Sequence, residues 1–122
     1  MGQIQLALMG VGRWGTHLLR NFLAHPQIQV RAVVEPLMER LTATAATFGL
    51  DQLDPPVALL DSWEAALALD GLDAVAIATP AATHQAIVTA ALQRQLHVLC
   101  EKPLTLSATS AAGLCQLAQQ RH

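Results

Sequence analysis

The feature that most constrains this chain is a glycine-rich segment directly after its first apolar run. The run covers Ile4 to Met9, the glycine-rich segment reads Gly10-Val11-Gly12-Arg13-Trp14-Gly15, and a helix-like stretch continues from Trp14 to Leu23. A strand, a glycine turn and a helix in this order are typical of a segment that binds a dinucleotide. The chain is therefore expected to fold around that unit.

Each glycine of this segment has its own predicted role. Gly10 permits the tight turn, Gly12 lets the backbone approach a pyrophosphate closely, and Gly15 lets the helix pack on the strand. The helix that starts here presents free N–H groups and the positive end of its dipole, so it can bind an anion without a basic side chain.

An acidic residue at the end of the second apolar run strengthens this interpretation. Val30 to Val34 ends in Glu35, twenty residues after Gly15. At that distance a carboxylate can accept hydrogen bonds from both hydroxyls of the adenosine ribose. The two features together are far more specific than either alone.

Length and composition indicate one domain, and we expect residues 1–122 to form a dinucleotide-binding domain. Charged residues make up 13% of the chain and hydrophobic residues 52%, against roughly 25% charged in an average soluble domain. Two explanations of this low charge content are open. Either alanine-rich helices pack closely on a sheet, or another domain or subunit covers an apolar face.

Charge and hydropathy exclude several classes of partner. A net charge of −2 and a pI near 6.2 offer no basic stripe, so neither nucleic acid nor an anionic membrane surface is expected to bind. No apolar run approaches the length of a membrane helix, about 18 residues, and we expect a cytoplasmic protein.

The two cysteines, Cys100 and Cys115, lack the spacing of a metal site or a redox pair and are expected to be buried thiols.

Short apolar runs alternate with longer amphipathic ones, a pattern typical of βαβ units in an α/β fold. The predicted strands are Ile4 to Met9, Val30 to Val34, Val57 to Leu59, Ala74 to Ala78, and His97 to Cys100. The predicted helices are Trp14 to Leu23, Leu37 to Phe48, Trp63 to Leu69, Thr83 to Gln93, and Ala108 to Gln120. Right-handed crossovers then predict a doubly wound parallel sheet of order 3-2-1-4-5, the Rossmann arrangement, with helices on both faces.

Several residues indicate helix ends. Pro36 suits the start of the second helix and Gly49 follows its end. Asp61 or Ser62 can cap the third helix, and Ser107 can cap the last.

Two further loops should lie at the ligand edge of the sheet. After the fourth strand, Pro80 fixes the backbone, Thr79 or Thr83 can cap the next helix, and His84 stands in its first turn. On the residues alone, His84 either contacts the ligand or is an exposed histidine at a helix start.

The fifth strand ends in Cys100-Glu101-Lys102-Pro103, which places a carboxylate and an ammonium at the same edge. Lys102 can orient a substrate hydroxyl, stabilise a developing alkoxide or take part in proton transfer. The alternative is an ordinary surface pair between Glu101 and Lys102.

These motifs together resemble the Gfo/Idh/MocA family of NAD(P)-dependent oxidoreductases. The resemblance covers nearly the whole chain, and its most specific part is Glu101-Lys102-Pro103. It implies that Lys102 lies near the nicotinamide and the substrate as a catalytic residue. It also implies that Glu101 and Pro103 shape the cofactor pocket. The loop that contains Thr79, Pro80 and His84 is expected to lie beside the bound dinucleotide and to bind it.

Within this family, the acid at the end of the second strand indicates NAD as the cofactor. Glu35 replaces the aspartate usual in the family and is followed by Pro36; a carboxylate there can bind the ribose and repels a 2′-phosphate, so NADP is less expected. Arg40 is the one residue that argues the other way, because it can reach a phosphate from the second helix.

Members of this family continue into a second domain that supplies most substrate contacts. We therefore expect a chain without that substrate domain, either a fragment or a natural short protein, which self-associates as a homo-oligomer through an apolar face. Its expected function is the cofactor-binding part of an oxidoreductase acting on a sugar, polyol or related small molecule. The alternative is an inactive nucleotide-sensing or scaffold module.

Overall fold

The computed structural model describes residues 3–100, which form one parallel sheet covered by helices on both faces. The strands are β1 (Ile4–Met9), β2 (Ile28–Val34), β3 (Ala58–Leu60), β4 (Ala74–Ile77) and β5 (His97–Cys100). The helices are α1 (Arg13–Ala24), α2 (Met38–Phe48), α3 (Trp63–Leu67) and α4 (His84–Gln93), with short 3-10 turns at Leu50–Gln52 and Ala81–Thr83. The spatial order β3-β2-β1-β4-β5 confirms the predicted fold.

The central strand β1 lies where the strand order reverses. Its last residue, Met9, is in register with Val34 of β2 on one side and with Ile77 of β4 on the other. The backbone continues this pairing past the strand ends, because Gly10 N donates to the Val34 carbonyl at 2.7 Å and Ala78 N donates to the Met9 carbonyl at 2.8 Å. The loops that follow β1, β2 and β4 therefore meet at one edge of the sheet.

Alternate residues of β1 face two separate apolar cores. Leu8 packs with Leu19 and Leu41 on the face covered by α1 and α2. Met9 packs with Ile77 and Ile87 on the face covered by α3 and α4. Because both faces are covered, the strand is apolar at consecutive positions, as buried parallel strands usually are.

Local signals explain two of the helix ends, the start of α3 and the end of α2. Ser62 Oγ accepts a hydrogen bond from Ala65 N at 3.1 Å, so Ser62 rather than Asp61 caps α3. Gly49 ends α2 in the left-handed conformation, with φ of 63°. The predicted cap of α4 was wrong: neither Thr79 nor Thr83 caps it, because a 3-10 turn precedes the helix and Thr83 makes no capping hydrogen bond. The predicted helix from Ala108 to Gln120, its cap Ser107 and Cys115 lie outside the described residues.

The surface carries several large apolar side chains, as the low charge content predicts. Trp14, Met38, Leu37 and Leu99 are each more than half exposed. Cys100 is half-buried rather than fully buried, because β5 is an edge strand. Within residues 3–100, no helix has the length and apolar character needed to cross a membrane. Self-association through an apolar face stays a prediction.

Candidate functional site

A cleft of about 590 Å³ opens at the carboxyl ends of β1, β2 and β4. It is bounded by four segments: the glycine-rich loop, the β2–α2 connection, the β3–α3 loop and the β4–α4 loop (residues 78–83). The residues that line it are Gly10, Gly12, Val34, Glu35, Pro36, Leu37, Arg40, Asp61, Ser62, Trp63, Glu64, Ala78, Thr79, Pro80, Thr83 and Ile87.

Two glycines of the first loop are required by packing within the protein. Gly10 has a φ of +96°, and a Cβ there would come within 2.8 Å of the Ala78 carbonyl oxygen. A Cβ on Gly15 would overlap the Gly10 carbonyl, so only glycine lets α1 start this close to β1. Both predicted roles, the turn at Gly10 and the close packing at Gly15, are confirmed.

Gly12 differs from these two because the space beside it is open. Its φ is −69°, which any residue adopts, and a Cβ there would have Arg40 Nη1, at 3.7 Å, as its only neighbour within 4 Å among the described residues. Gly12 is the N-cap of α1 and makes no side-chain cap, so the first N–H groups of the helix point into this space. A pyrophosphate needs both the open space and those donors, so the residues fit a dinucleotide.

Thr16 stabilises the glycine-rich loop from within α1. Its hydroxyl lies 2.8 Å from the Gly12 carbonyl and 3.2 Å from the Val11 carbonyl, and it donates to them. We did not predict this role from the sequence, because a threonine inside a helix gives no signal that distinguishes it from any other.

Glu35 is buried at the end of β2, with 4% of its surface exposed. Its Oε1 accepts a hydrogen bond from Val11 N at 3.2 Å, and its Oε2 accepts one from Leu37 N at 3.1 Å. Arg40 Nη1 lies 3.6 Å from Oε1. Glu35 thus lines the cleft and also joins the glycine-rich loop to the start of α2, which was not predicted. Its binding of the ribose stays a prediction.

The charged side chains that line the cleft are mostly acidic. Among the lining residues, Glu35, Asp61 and Glu64 are acidic and Arg40 is basic. The sequence predicted Asp61 only as a possible helix cap and assigned neither Asp61 nor Glu64 to a binding site. Their position in the cleft depends on where β3 ends beside β2, which composition and spacing do not show.

The β4–α4 loop is held by its own polar groups. The hydroxyls of Thr79 and Thr83 lie 2.6 Å apart, and Pro80 carbonyl accepts from Thr83 Oγ1 at 2.7 Å and from Thr83 N at 2.9 Å. Thr79 and Pro80, both predicted as cofactor-binding residues, line the cleft.

His84 lies behind this loop and not in the cleft. It is 1% exposed, and its Nε2 lies 2.9 Å from the Thr79 carbonyl oxygen. The alternative of an exposed histidine at the helix start is therefore wrong. The ring therefore contacts the loop through Nε2, and a direct contact of His84 with a cofactor stays a prediction.

Arg13 and Trp14 lie at the start of α1, outside the residues that line the cleft. Trp14 is 63% exposed and contacts the ring of His17 edge-on, at 5.8 Å between centroids. With Asn21 these residues border a separate cavity of about 510 Å³. A direct contact of Arg13 or Trp14 with a cofactor stays a prediction.

Three predicted site residues, Glu101, Lys102 and Pro103, lie outside the described residues. They follow directly on β5, whose last residue is Cys100.

A family model described as an oxidoreductase family with an NAD-binding Rossmann fold, GFO_IDH_MocA, matches residues 4–122. Inositol 2-dehydrogenase of Renibacterium salmoninarum is 38% identical over 114 residues, which cover 93% of this chain and 32% of that protein. GenD2 from gentamicin A biosynthesis, solved in complex with NAD, superposes with a TM-score of 0.86 at 31% identity, over 99% of this chain and 33% of its own. KijD10, a 3-ketoreductase from Actinomadura kijaniata solved with NADP, superposes with a TM-score of 0.83 at 27% identity, over 98% of this chain and 36% of its own. The chain spans about a third of the length of these proteins.

Proposed function

This chain belongs to the oxidoreductase family with an NAD-binding Rossmann fold, and from that membership we propose that it holds the dinucleotide for hydride transfer to or from a small hydroxy compound. The substrate class proposed is a sugar, a polyol or a related metabolite. The relatives described above, an inositol 2-dehydrogenase and a 3-ketoreductase, support this class.

The observation that carries the proposal is the open space at Gly12 beside the buried carboxylate of Glu35. A Cβ at Gly10 or Gly15 would meet the protein's own backbone, whereas one at Gly12, a residue that lines the cleft, would have a single described neighbour within 4 Å, Arg40 Nη1 at 3.7 Å. A glycine at a position where the fold does not need one indicates close approach by a ligand. The N-terminus of α1 at the same point indicates that this ligand is anionic.

In this arrangement different residues bind the pyrophosphate and the adenosine ribose of the dinucleotide. The pyrophosphate lies over Gly12 and the first turn of α1, and the ribose hydroxyls of adenosine donate to Glu35. The ribose uses carboxylate lone pairs that the N–H groups of Val11 and Leu37 leave available. The bound nicotinamide supplies the hydride chemistry.

Lys102 is the residue of this chain proposed to act on the substrate. It is the second residue after β5, which ends at the same edge of the sheet as β4. An ammonium at that edge orients the reacting oxygen and stabilises negative charge on it.

We propose that the cofactor is NAD rather than NADP. Three carboxylates and one guanidinium line the cleft within residues 3–100. A 2′-phosphate would add negative charge beside Glu35, whose oxygens are buried and close to the ribose site. Arg40, 48% exposed at its side chain and already near Glu35, offsets this repulsion only in part.

The test is calorimetric titration of the chain with NAD and with NADP. We expect NAD to bind more tightly. Tighter binding of NADP would contradict the assignment of NAD, and a folded chain that binds neither nucleotide would contradict the dinucleotide function itself.

The variant Arg40→Gln sharpens this test. It should lower the affinity for NADP more than that for NAD, because only NADP places a phosphate near the guanidinium. Arg94→Gln, at the exposed end of α4 and away from the cleft, is the matched control and should change neither affinity.

A further inference from the structure

His84 is a buried polar residue that the proposed binding of the dinucleotide does not use directly. It begins α4, is 1% exposed, and does not line the cleft. Its Nε2 lies 2.9 Å from the carbonyl oxygen of Thr79. A carbonyl oxygen can only accept, so Nε2 must carry the hydrogen and donate it.

The acceptor belongs to the part of the β4–α4 loop that touches the glycine-rich loop. The Ala78 carbonyl oxygen and the Thr79 methyl group lie 2.8 Å and 3.1 Å from the position of a Cβ on Gly10. A displacement of Thr79 would therefore change the shape of the cleft at the point where the two loops meet.

The remaining hydrogen bonds of the loop do not hold the Thr79 carbonyl. The Thr83 hydroxyl forms hydrogen bonds with the Thr79 hydroxyl and with the Pro80 carbonyl. These bonds close the turn without involving the Thr79 carbonyl. Within residues 3–100, the hydrogen bond that the Thr79 carbonyl accepts comes from the ring of His84.

We propose that His84 is a positioning residue, whose Nε2–H fixes the Thr79 carbonyl and thereby holds the β4–α4 loop in the shape that the nicotinamide half of the dinucleotide needs. The inference rests on the proposed function. In the proposed arrangement the adenosine half lies beside Glu35, on the β2 side of the central strand β1. The dinucleotide spans the end of β1, so its nicotinamide half lies on the β4 side. Loss of the His84 bond should therefore weaken NAD more than ADP, which lacks the nicotinamide half.

The test compares two variants of similar size. His84→Leu removes the donor, and His84→Gln retains an N–H group that can reach the position of Nε2. Each protein is titrated with NAD and with ADP. His84→Leu should weaken NAD roughly three- to tenfold, the range expected for one hydrogen bond, and ADP less than about twofold. His84→Gln should restore most of the affinity for NAD.

Three outcomes would overturn the inference. These are unchanged NAD binding by His84→Leu, equal weakening of NAD and ADP, which would indicate a general structural role, and failure of His84→Gln to restore binding. If the unmodified chain binds neither ligand, the proposed function fails first, and the inference falls with it.

A measurement on the unmodified chain keeps the inference testable if His84→Leu does not fold. Long-range ¹H–¹⁵N correlation spectra report which ring nitrogen of each histidine carries the proton, and the His84 signals are those missing in His84→Gln. We expect a protonated Nε2 on His84. An unprotonated Nε2 would contradict the proposed hydrogen bond.

Discussion

The carboxylate of Glu35 accepts a hydrogen bond from the backbone N–H of Val11, so the residue that follows β2 is joined to the loop that follows β1. The same carboxylate accepts from Leu37 N through its other oxygen. Glu35 therefore contributes to the shape of the glycine-rich loop even before any ribose is bound. Its substitution should affect both stability and binding.

Glu35→Gln should lower the free energy of unfolding by about 1–3 kcal/mol. An amide has one oxygen, so its NH₂ group would face one of the two N–H donors that the carboxylate now satisfies. Urea denaturation monitored by circular dichroism measures this change.

The matched control is Asp70→Asn, the same loss of charge at an exposed residue away from the cleft. It should alter the free energy of unfolding by less than about 0.5 kcal/mol. If Glu35→Gln were as stable as the control, the two backbone hydrogen bonds would not contribute to folding as described.

Ser62→Ala should destabilise the chain by about 1 kcal/mol, because the N–H of Ala65 loses its acceptor at the start of α3. For a domain of this size the melting temperature should fall by roughly 4 °C. Ser62→Asp should retain most of the stability, since aspartate also caps helices well. Equal melting temperatures for Ser62→Ala and the unmodified chain would argue against this cap.

Gly49→Ala should destabilise the chain by about 1 kcal/mol through the backbone alone. Gly49 has a φ of +63°, and no described atom lies within 4 Å of a Cβ placed there, so steric overlap contributes nothing. Gly49→Asn should lose less, because asparagine tolerates this conformation better. Chemical denaturation of both variants measures the difference, and a greater loss for Gly49→Asn would contradict the explanation.

The order of the strands could be predicted because few arrangements satisfy right-handed crossovers among five parallel strands. β1 and β5 begin and end where they were predicted, at Ile4–Met9 and His97–Cys100.

The third strand was predicted one residue early, at Val57 to Leu59 instead of Ala58–Leu60. Val57 is buried in the core, but its N–H bonds to the Leu50 carbonyl at 3.1 Å instead of to the sheet. Burial alone did not distinguish a core residue of the loop from the strand beside it.

The candidate site could be predicted only where local sequence determines conformation. Gly10 and Gly15 belong to a motif whose spacing fixes their roles, and both roles are confirmed. The contacts of Glu35 with Val11 and the burial of His84 depend on how separate segments meet in space. No spacing along the chain records those distances.

Calorimetric titration of NAD into the unmodified chain and into Gly12→Ala tests the central claim most directly. The backbone at Gly12 accepts any residue, and within residues 3–100 the added methyl group would have one neighbour closer than 4 Å, Arg40 Nη1 at 3.7 Å. We expect Gly12→Ala to fold with the same melting temperature and to bind NAD at least about tenfold more weakly, because the methyl group would hold the pyrophosphate away from the first turn of α1. Equal affinity of the two proteins for NAD would show that the pyrophosphate does not lie over Gly12 and would contradict the proposed function.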